Sequence, residues 1–297
     1  MKVLIVGLPL FAKRLRDDLA EFDPSNKYYV LDTYYSKKDR IKAQLLIPRV
    51  DVVYSINGTL GTSRAFDLAF KKGKKVMMTW VGTDVTKARR NKSPNKLYLE
   101  KAHHYCEVGW IQDELKLVNI NAKVLNFFNF KEAKQPSMPA GDQLNILTYI
   151  SKNREAYYGW APIMEAATRN PNVKFSVVGT DGEGLDGKPD NVDVLGWVEN
   201  MDELFEKCHA TIRFVEHDGL SGFVLESLYR GKHVIYSEPL EHCHYVTSGE
   251  DISRTVEQLQ QKCVDNTLSL NEEGISFIHN NFNRSSILTT LIEEMKK

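Results

Sequence analysis

The sequence predicts an α/β fold made of two domains, each built on a doubly wound parallel sheet. Apolar runs of strand length alternate with helical patterns along the 297 residues. Such alternation is typical of parallel sheets covered by helices on both faces. One stretch, "NFKEAKQPSMPAGDQ", interrupts it with two prolines, a glycine and polar residues. The length fits two domains of about 150 residues each, so we expect this stretch to join them.

The predicted boundaries follow from this interruption. We expect an N-terminal domain over residues 1–130, a linker over 131–143, a C-terminal domain over 144–280, and a helix over 281–297 that packs back toward the first domain. The strands of the first domain are "KVLIVGL", "KYYVLDTY", "DVVYSING", "KVMMTWVG", "YCEVGWI" and "AKVLNFF". Its helices are "FAKRLRDDLAEF", "SRAFDLAFKKG" and "NKLYLEKAHH".

The second domain repeats the alternation. Its strands are "LNILTYIS", "VKFSVVG", "VDVLGWV", "ATIRFVE" and "KHVIYS". Its helices are "WAPIMEAATRN", "MDELFEKC", "GFVLESLYRG" and "DISRTVEQLQQKCV", and "SSILTTLIEEMKK" is the final helix. Ligands of such sheets bind beyond the carboxyl ends of the strands, where loops enter helices.

Composition excludes several classes of function. Lys+Arg and Asp+Glu are equal at 39, whereas nucleic-acid binders usually carry a basic surplus, so a nucleic-acid partner is disfavoured. No apolar run approaches the ~20 residues of a membrane span. The apolar start is interrupted by Gly7 and Pro9, which favours a buried strand over a signal peptide. Four widely spaced cysteines fit a reducing compartment. We expect a soluble, cytoplasmic protein.

The stretch "HDGLSGFVLES", residues 217–227, carries the most chemistry. We expect a strand to end near Glu216 and a helix to begin near Ser221, whose hydroxyl caps it. The first amides of that helix and its dipole attract anions, and the glycines let a diphosphate approach the backbone. Asp218 and Glu226 can read sugar hydroxyls. The open alternative is an ordinary junction, because a strand, glycine loop and helix with nearby acids are common in α/β proteins.

Residues 191–237 resemble the carboxyl-domain pattern of family 4 retaining glycosyltransferases. The pattern is an acid, seven residues, a glutamate, a helix, Gly-Lys/Arg and a strand; here it reads Asp218-x7-Glu226 followed by "SLYRGKHVIYS". That family has the GT-B architecture, in which two Rossmann-like domains face each other across a cleft. The resemblance covers the second half well and the first half by architecture alone. It implies that the first domain binds the acceptor and the second binds a nucleotide sugar.

The resemblance also implies individual roles. Asp218 and Glu226 are the implied catalytic residues, with Glu226 on the nucleotide ribose and Asp218 near the donor sugar. Asp218 is one methylene shorter than the Glu of many relatives. The implied donor-binding residues are Gly219, Ser221, Gly222 and Phe223 at the diphosphate, Gly196, Trp197 and Val198 at the base, and Gly179 and Asp181 in the turn "VVGTDGEG". Each of these positions also fits an ordinary turn between a strand and a helix.

The chain departs from the family at its basic pair. Relatives have an Arg and a later Lys after the first strand of this domain, but Tyr158 stands at the Lys position, leaving Lys152 or Arg154 as the donor cation. In the first domain the family's Gly-Gly loop and later His are also missing. There the expected acceptor-side residues are Gly7, Gly58, Trp80, Thr83 and Asp84, with core packing as the alternative for the last three.

The function implied is retaining transfer of a sugar from a nucleotide-diphosphate sugar to an acceptor hydroxyl, as in polysaccharide biosynthesis. A GT-B phosphorylase or epimerase and a non-catalytic nucleotide-sugar sensor remain alternatives. No cofactor is expected. No metal is expected either, because "EHCHY" offers adjacent residues without a second ligand pair at zinc spacing.

The segment "TKARRNKSPNK", residues 86–96, carries five cations and no acid. We expect it to attract an anionic acceptor, such as a lipid-linked phosphate sugar, or the anionic inner face of the membrane. The alternative is a solvated loop, since charge runs are usually no more than that.

Overall fold

The computed structural model describes residues 1–130, 136–183 and 187–297. The chain divides into two compact units, Met1–Asn129 with Asn283–Lys297 and Phe130–Phe282. Over the described residues each unit contains one six-stranded parallel sheet with its helices. The predicted class, α/β with two doubly wound parallel sheets, is therefore confirmed. Residues 131–135 of the predicted linker lie outside the described ranges.

The first sheet has the order β2-β1-β3-β4-β5-β6. Its strands are β1 Lys2–Gly7, β2 Lys27–Val30, β3 Val52–Ile56, β4 Lys75–Trp80, β5 His103–Cys106 and β6 Lys123–Val124. The helices of this part of the chain are α1 Pro9–Phe22, α2 Lys37–Leu46, α3 Arg64–Lys71, α4 Thr83–Arg90, α5 Lys96–Lys101 and α6 Gly109–Lys116.

The second sheet has the order β12-β11-β10-β7-β8-β9. Its strands are β7 Asn145–Tyr149, β8 Lys174–Val178, β9 Val192–Gly196, β10 Ala210–Arg213, β11 His233–Tyr236 and β12 His244–Tyr245. Its helices are α7 Trp160–Arg169, α8 Asp202–Lys207, α9 Gly222–Tyr229, α10 Gly249–Val264 and α11 Glu272–Asn281. The last helix, α12 Arg284–Lys296, belongs to the first unit.

Each sheet reverses its strand order once, between β1 and β3 in the first unit and between β7 and β10 in the second. At such a switch point the loops after the two strands diverge and leave a crevice at the carboxyl edge. The central strands of the two sheets, β1, β3, β7 and β10, are largely buried on both faces. All five residues of β3 are buried. This double burial explains why they appear in the sequence as continuous apolar runs.

The structure differs from the predicted elements at several places. "HHYC" forms β5 rather than a helix end, and the predicted strand "YCEVGWI" stops at Cys106 because α6 begins at Gly109. The strand in "ATIRFVE" ends at Arg213, three residues before Glu216. The helices α2, α4, α6 and α11 and the short strand β12 are not predicted. Within the described ranges, none of the helices combines the length and apolar character needed to cross a bilayer.

A buried carboxylate anchors α12 in the first unit. Leu288 and Leu291 of α12 pack into the core of that unit. The Glu294 side chain, 8% exposed, pairs with Lys123 and Lys297 and accepts a hydrogen bond from Tyr105 Oη at 3.1 Å. The bonds from Lys123 and Lys297 lower the pKa of Glu294 from 4.5 to about 2. The ionised carboxylate therefore stabilises the folded state.

We expect Glu294→Gln to lower the free energy of unfolding at neutral pH by about 1.5–3 kcal/mol, the usual value of a hydrogen bond to a charged group. A depressed carboxyl pKa contributes stability above the unfolded value, and this contribution is lost as pH falls through the folded value. The gap between wild type and variant should therefore shrink as pH falls from 4.5 toward about 2. Urea unfolding across this range measures it, and a gap independent of pH would contradict the role of the charge.

Candidate functional site

The second unit places the Asp218 segment at its switch point. Residues 214–221 connect β10 to α9 at the carboxyl edge of the sheet. The loop after β7 lies beside this connection, because Tyr157 Oη donates to the His217 carbonyl and the Glu216 N–H donates to the Tyr157 carbonyl at 3.1 Å. Loops from both sides of the strand reversal therefore meet where ligands of doubly wound sheets bind.

The first turn of α9 carries no side-chain cap. Gly222 is the first helical residue, and the Ser221 hydroxyl before it accepts no N–H of the helix, so the predicted capping by Ser221 is wrong. The Gly219 carbonyl accepts a hydrogen bond from Tyr236 Oη at 3.0 Å, which fixes the turn ahead of the helix. The first amides of a helix lack partners inside it, and the dipole places positive potential there.

Asp218 is held by a forked ion pair with Arg213, the last residue of β10. Arg213 Nε lies 2.8 Å from Asp218 Oδ2, and Arg213 Nη2 lies 3.1 Å from Oδ1. Tyr236 Oη donates to Oδ2 at 3.2 Å. The two paired side chains are only 10% and 14% exposed. Burial alone would lower the pKa of Arg213, but the adjacent Asp218 carboxylate raises it above its ordinary value. The guanidinium therefore stays charged, and the two bonds hold it against Asp218.

The same guanidinium contacts the ring of Tyr158 in the loop after β7. Arg213 Cζ lies 4.8 Å from the centre of the Tyr158 ring. On the same loop Arg154 Cζ lies 4.2 Å from the Tyr157 ring. Cation–π contacts of this kind orient a guanidinium. Sequence reasoning missed Arg213. A charged residue at the end of a buried strand needs an opposite charge nearby, so its position could have indicated an ion pair at this site.

Lys152, one of the two predicted donor cations, is already paired. Lys152 Nζ forms an ion pair with Asp181 in the loop after β8, and both side chains are about half exposed. The hydrogen bond between them raises the pKa of Lys152 and lowers that of Asp181. The Lys152 N–H also donates to the Gly179 carbonyl at 3.2 Å, so the loops after β7 and β8 are joined.

The predicted turn residues after β8 and β9 lie together. The Gly179 N–H donates to the Gly196 carbonyl at 2.8 Å. Gly179 has φ +94°, and a Cβ there would stand 2.7 Å from the Ile150 carbonyl oxygen, so only glycine fits. Trp197 is 76% exposed, whereas Val198 packs against a small apolar cluster with Phe205. An exposed indole just after β9, the edge strand of the sheet, is available for stacking on a ligand.

Phe223 and Glu226 lie in α9 itself. Phe223 is partly buried in the cluster around Phe205, at a ring distance of 5.7 Å, so its side chain packs the helix while its backbone stays in the first turn. Glu226 lies just over one turn after the start of α9 and is half-buried.

The predicted glycines of the first unit form tight turns at its switch point. Gly7, at the end of β1, has φ +104°, and a Cβ there would stand 2.2 Å from the Ile56 carbonyl oxygen. A Cβ on Gly58, after β3, would stand 2.1 Å from the Trp80 ring. Both positions therefore require glycine for packing.

Two predicted acceptor-side residues belong to the core instead. Trp80 is fully buried and donates through Nε1 to His104 Nδ1 at 3.1 Å. Asp84, 3% exposed, accepts backbone N–H bonds from four residues of the adjoining turns, namely Gly58, Val81, Gly82 and Val85. Burial raises the pKa of Asp84, and those bonds oppose the shift. Neither side chain can contact a ligand, so that expectation is wrong for both, while Thr83 is exposed at the start of α4.

The basic segment 86–96 is not wholly a loop. Its first five residues form the end of α4. Arg89 Nη1 lies 2.8 Å from Glu114 Oε2 of α6, so one of the five cations is neutralised. The remaining basic side chains are exposed.

The described ranges contain no group of three or more His, Cys, Asp or Glu side chains placed to hold a metal ion. Within "EHCHY", His242 Nδ1 lies 3.3 Å from Glu273 Oε2, and the His244 ring packs against His233 at 5.7 Å. Burial lowers the pKa of His244 to about 4. These contacts give both histidines roles in packing.

No family model and no curated protein matches the sequence. Among solved structures, the chain is similar to Staphylococcus aureus TarM, determined with fondaparinux, α-GlcNAc-glycerol and UDP, with 10% identity and a TM-score of 0.62. The match covers 87% of this chain but 59% of TarM, so the chain spans well under two thirds of that protein.

Two further structures match over nearly their full length. Sucrose-phosphate synthase from Thermosynechococcus elongatus has 10% identity and a TM-score of 0.66, covering 100% of this chain and 98% of that one. The UDP-GlcNAc 2-epimerase of Neisseria meningitidis, bound to UDP-GlcNAc, has 14% identity and a TM-score of 0.55, covering 99% of each chain. At these identities the likeness shows the fold, which is GT-B.

Proposed function

We propose that this protein is a retaining glycosyltransferase that moves a sugar from a nucleotide-diphosphate sugar to an acceptor hydroxyl. The observation that carries the proposal is the junction of β10 and α9. There an uncapped helix start lies at a switch point, with Asp218 held by Arg213 before it and Glu226 just inside it. A cradle for phosphate flanked by two acids matches the needs of a nucleotide sugar.

In this proposal residues 144–280 bind the donor and residues 1–130 bind the acceptor. The α9 amides hold the diphosphate, Glu226 reads the ribose, and Asp218 lies near the donor sugar. Trp197, with Gly196, covers the base. Catalysis then consists of positioning and of stabilising the departing diphosphate, and it needs no metal ion. Arg154 is the donor cation that the structure favours, because Lys152 is paired with Asp181.

UDP in the TarM structure and UDP-GlcNAc in the epimerase structure make uracil the first base to test. The partners proposed are a UDP-sugar and a sugar or lipid-linked hydroxyl acceptor. Contact with an anionic membrane through residues 86–96 is part of the same proposal, at a site on the inner face of the membrane. The product would be a glycan or glycolipid precursor.

An epimerase is the second candidate, because epimerases share the fold over the whole chain. The two reactions differ in their products. We expect incubation with a panel of nucleotide sugars and hydroxyl acceptors to yield a glycoside with the donor's anomeric configuration, unchanged by EDTA. Proton NMR of the early product reports both the configuration and any C2 epimer. Release of an epimerised sugar without transfer would replace the proposal, and binding of donor without turnover would identify a sensor.

A further inference from the structure

The first unit contains a cavity of about 590 Å³ at its own switch point. It lies at the ends of β1 and β3, where Gly7, Ser55 and Asn57 line it, and α2 and α3 form its walls. The volume is within the range of small-molecule sites, about 300–1,000 Å³.

Among the described residues that line this cavity there are three cations and no acid. Lys37 and Arg40 come from α2 and Arg64 from the first turn of α3. The acids nearest in sequence are engaged elsewhere, since Asp32 accepts the Tyr34 N–H at 3.0 Å and Asp39 accepts the Asp32 N–H at 3.2 Å. The described lining itself therefore carries three positive charges and no negative one.

One of these cations is fixed in place. Arg40 Nε donates to the Thr33 carbonyl at 2.9 Å and Arg40 Nη2 to the Tyr34 carbonyl at 2.7 Å. Because these bonds already fix the Arg40 side chain, it loses little further conformational entropy when a ligand binds, and its charge is preorganised. Carbonyl groups carry no net charge, so they leave the positive charge of Arg40 in place, whereas a carboxylate partner would neutralise it.

The rest of the lining suits hydroxyl groups. Asn57 has φ 141°, a rare conformation for a residue other than glycine, and the Ser55 hydroxyl donates to its carbonyl at 2.8 Å. Strained residues that the surroundings hold in place cluster at ligand sites. The hydroxyls of Thr59 and Ser63 and the Tyr34 ring complete a surface of hydrogen-bonding groups beside an aromatic face.

We propose that this cavity binds the phosphate of a phosphorylated sugar or polyol, with the three cations on the phosphate and the polar residues on the hydroxyls. Three cations suit a phosphate dianion better than a single carboxylate charge. Its use as the acceptor rests on the proposed glycosyltransferase function; the binding itself does not. The phosphate belongs either to a soluble molecule or to a lipid headgroup. The lipid source is considered because large apolar side chains on and beside α2 are exposed, namely Tyr35 at 73%, Ile41 at 63% and Leu45 at 65%.

The test measures binding of glucose 1-phosphate and of neutral methyl glucoside by calorimetry. We expect the phosphate to bind at least about tenfold more tightly, and the double variant Lys37→Ser/Arg64→Ser to lose about tenfold to a hundredfold. The matched control is Lys71→Ser/Lys72→Ser, which removes the same charge from the other end of α3, outside the cavity lining, and should bind normally. Arg40 is left intact because it holds backbone carbonyls.

A second arm separates the two sources of phosphate. Sedimentation with phosphatidylcholine vesicles, with and without phosphatidylglycerol, tests the lipid source, and Leu45→Ser, outside the cavity lining, should then weaken vesicle binding alone. Glucose 1-phosphate binding without vesicle binding supports the soluble source. Failure of the cavity variant to weaken either interaction would overturn the proposal. UDP binding, measured on the same samples, reports the second unit, so its loss would count against the glycosyltransferase proposal and not against this one.

Discussion

Replacing Asp218 with asparagine is expected to remove most sugar transfer while leaving affinity for a nucleoside diphosphate nearly unchanged. The carboxylate lies before α9, on the sugar side of the proposed site, and it holds the Arg213 guanidinium in a buried fork. An amide cannot neutralise that cation, so Arg213 is left without its charge partner and shifts. Displacement of a group by about 1 Å can reduce a rate a hundredfold.

The same substitution should lower stability, because breaking one side of a buried ion pair costs about 3–5 kcal/mol. Thermal unfolding, UDP calorimetry and initial rates separate the two effects. Asp202→Asn is the matched control, since Asp202 pairs with Arg230 at 2.7 Å in the same unit; it should lose stability but not activity. If Asp218→Asn instead lost UDP affinity and kept its stability, the roles of Asp218 and Glu226 would have to be exchanged.

The strands could be predicted because a doubly covered parallel sheet hides both faces of its central strands. Segments such as "KVLIVGL" and "DVVYSING" therefore stand out without any periodicity. The helix α2 escaped prediction because it exposes most of its length, including Ile41 and Leu45. Its sequence lacks the one-sided apolar stripe on which helix prediction depends.

The residues of the candidate site could be proposed from the sequence, but their pairings could not. Asp218 and Glu226 are identified by spacing, yet the partner that fixes Asp218 comes from the preceding strand, and only the fold shows the fork with Arg213. The opposite error occurred at Asp84. A polar residue after a strand resembles a ligand contact, but here it satisfies the N–H groups of two turns, which depends on how close those turns come.

Glu226→Ala is the second change with a large expected effect. A carboxylate just over one turn inside α9 can accept hydrogen bonds from both hydroxyls of a ribose whose diphosphate lies on the first turn of the helix. Losing a hydrogen bond to a charged group costs about 1.5–3 kcal/mol, or about tenfold to a hundredfold in the KM for the donor.

The 2′-hydroxyl gives this assignment a direct test. Wild-type protein should bind UDP about tenfold more tightly than 2′-deoxy-UDP, whereas Glu226→Ala should bind both equally, because the group that distinguishes them is gone. Glu226→Gln keeps one acceptor and should retain part of the preference, and Glu203→Ala, an exposed acid of the same unit, should behave as wild type. A variant that lost affinity for both nucleotides but still preferred UDP would show that Glu226 acts through the structure of α9, because direct contact with the ribose requires the preference itself to disappear.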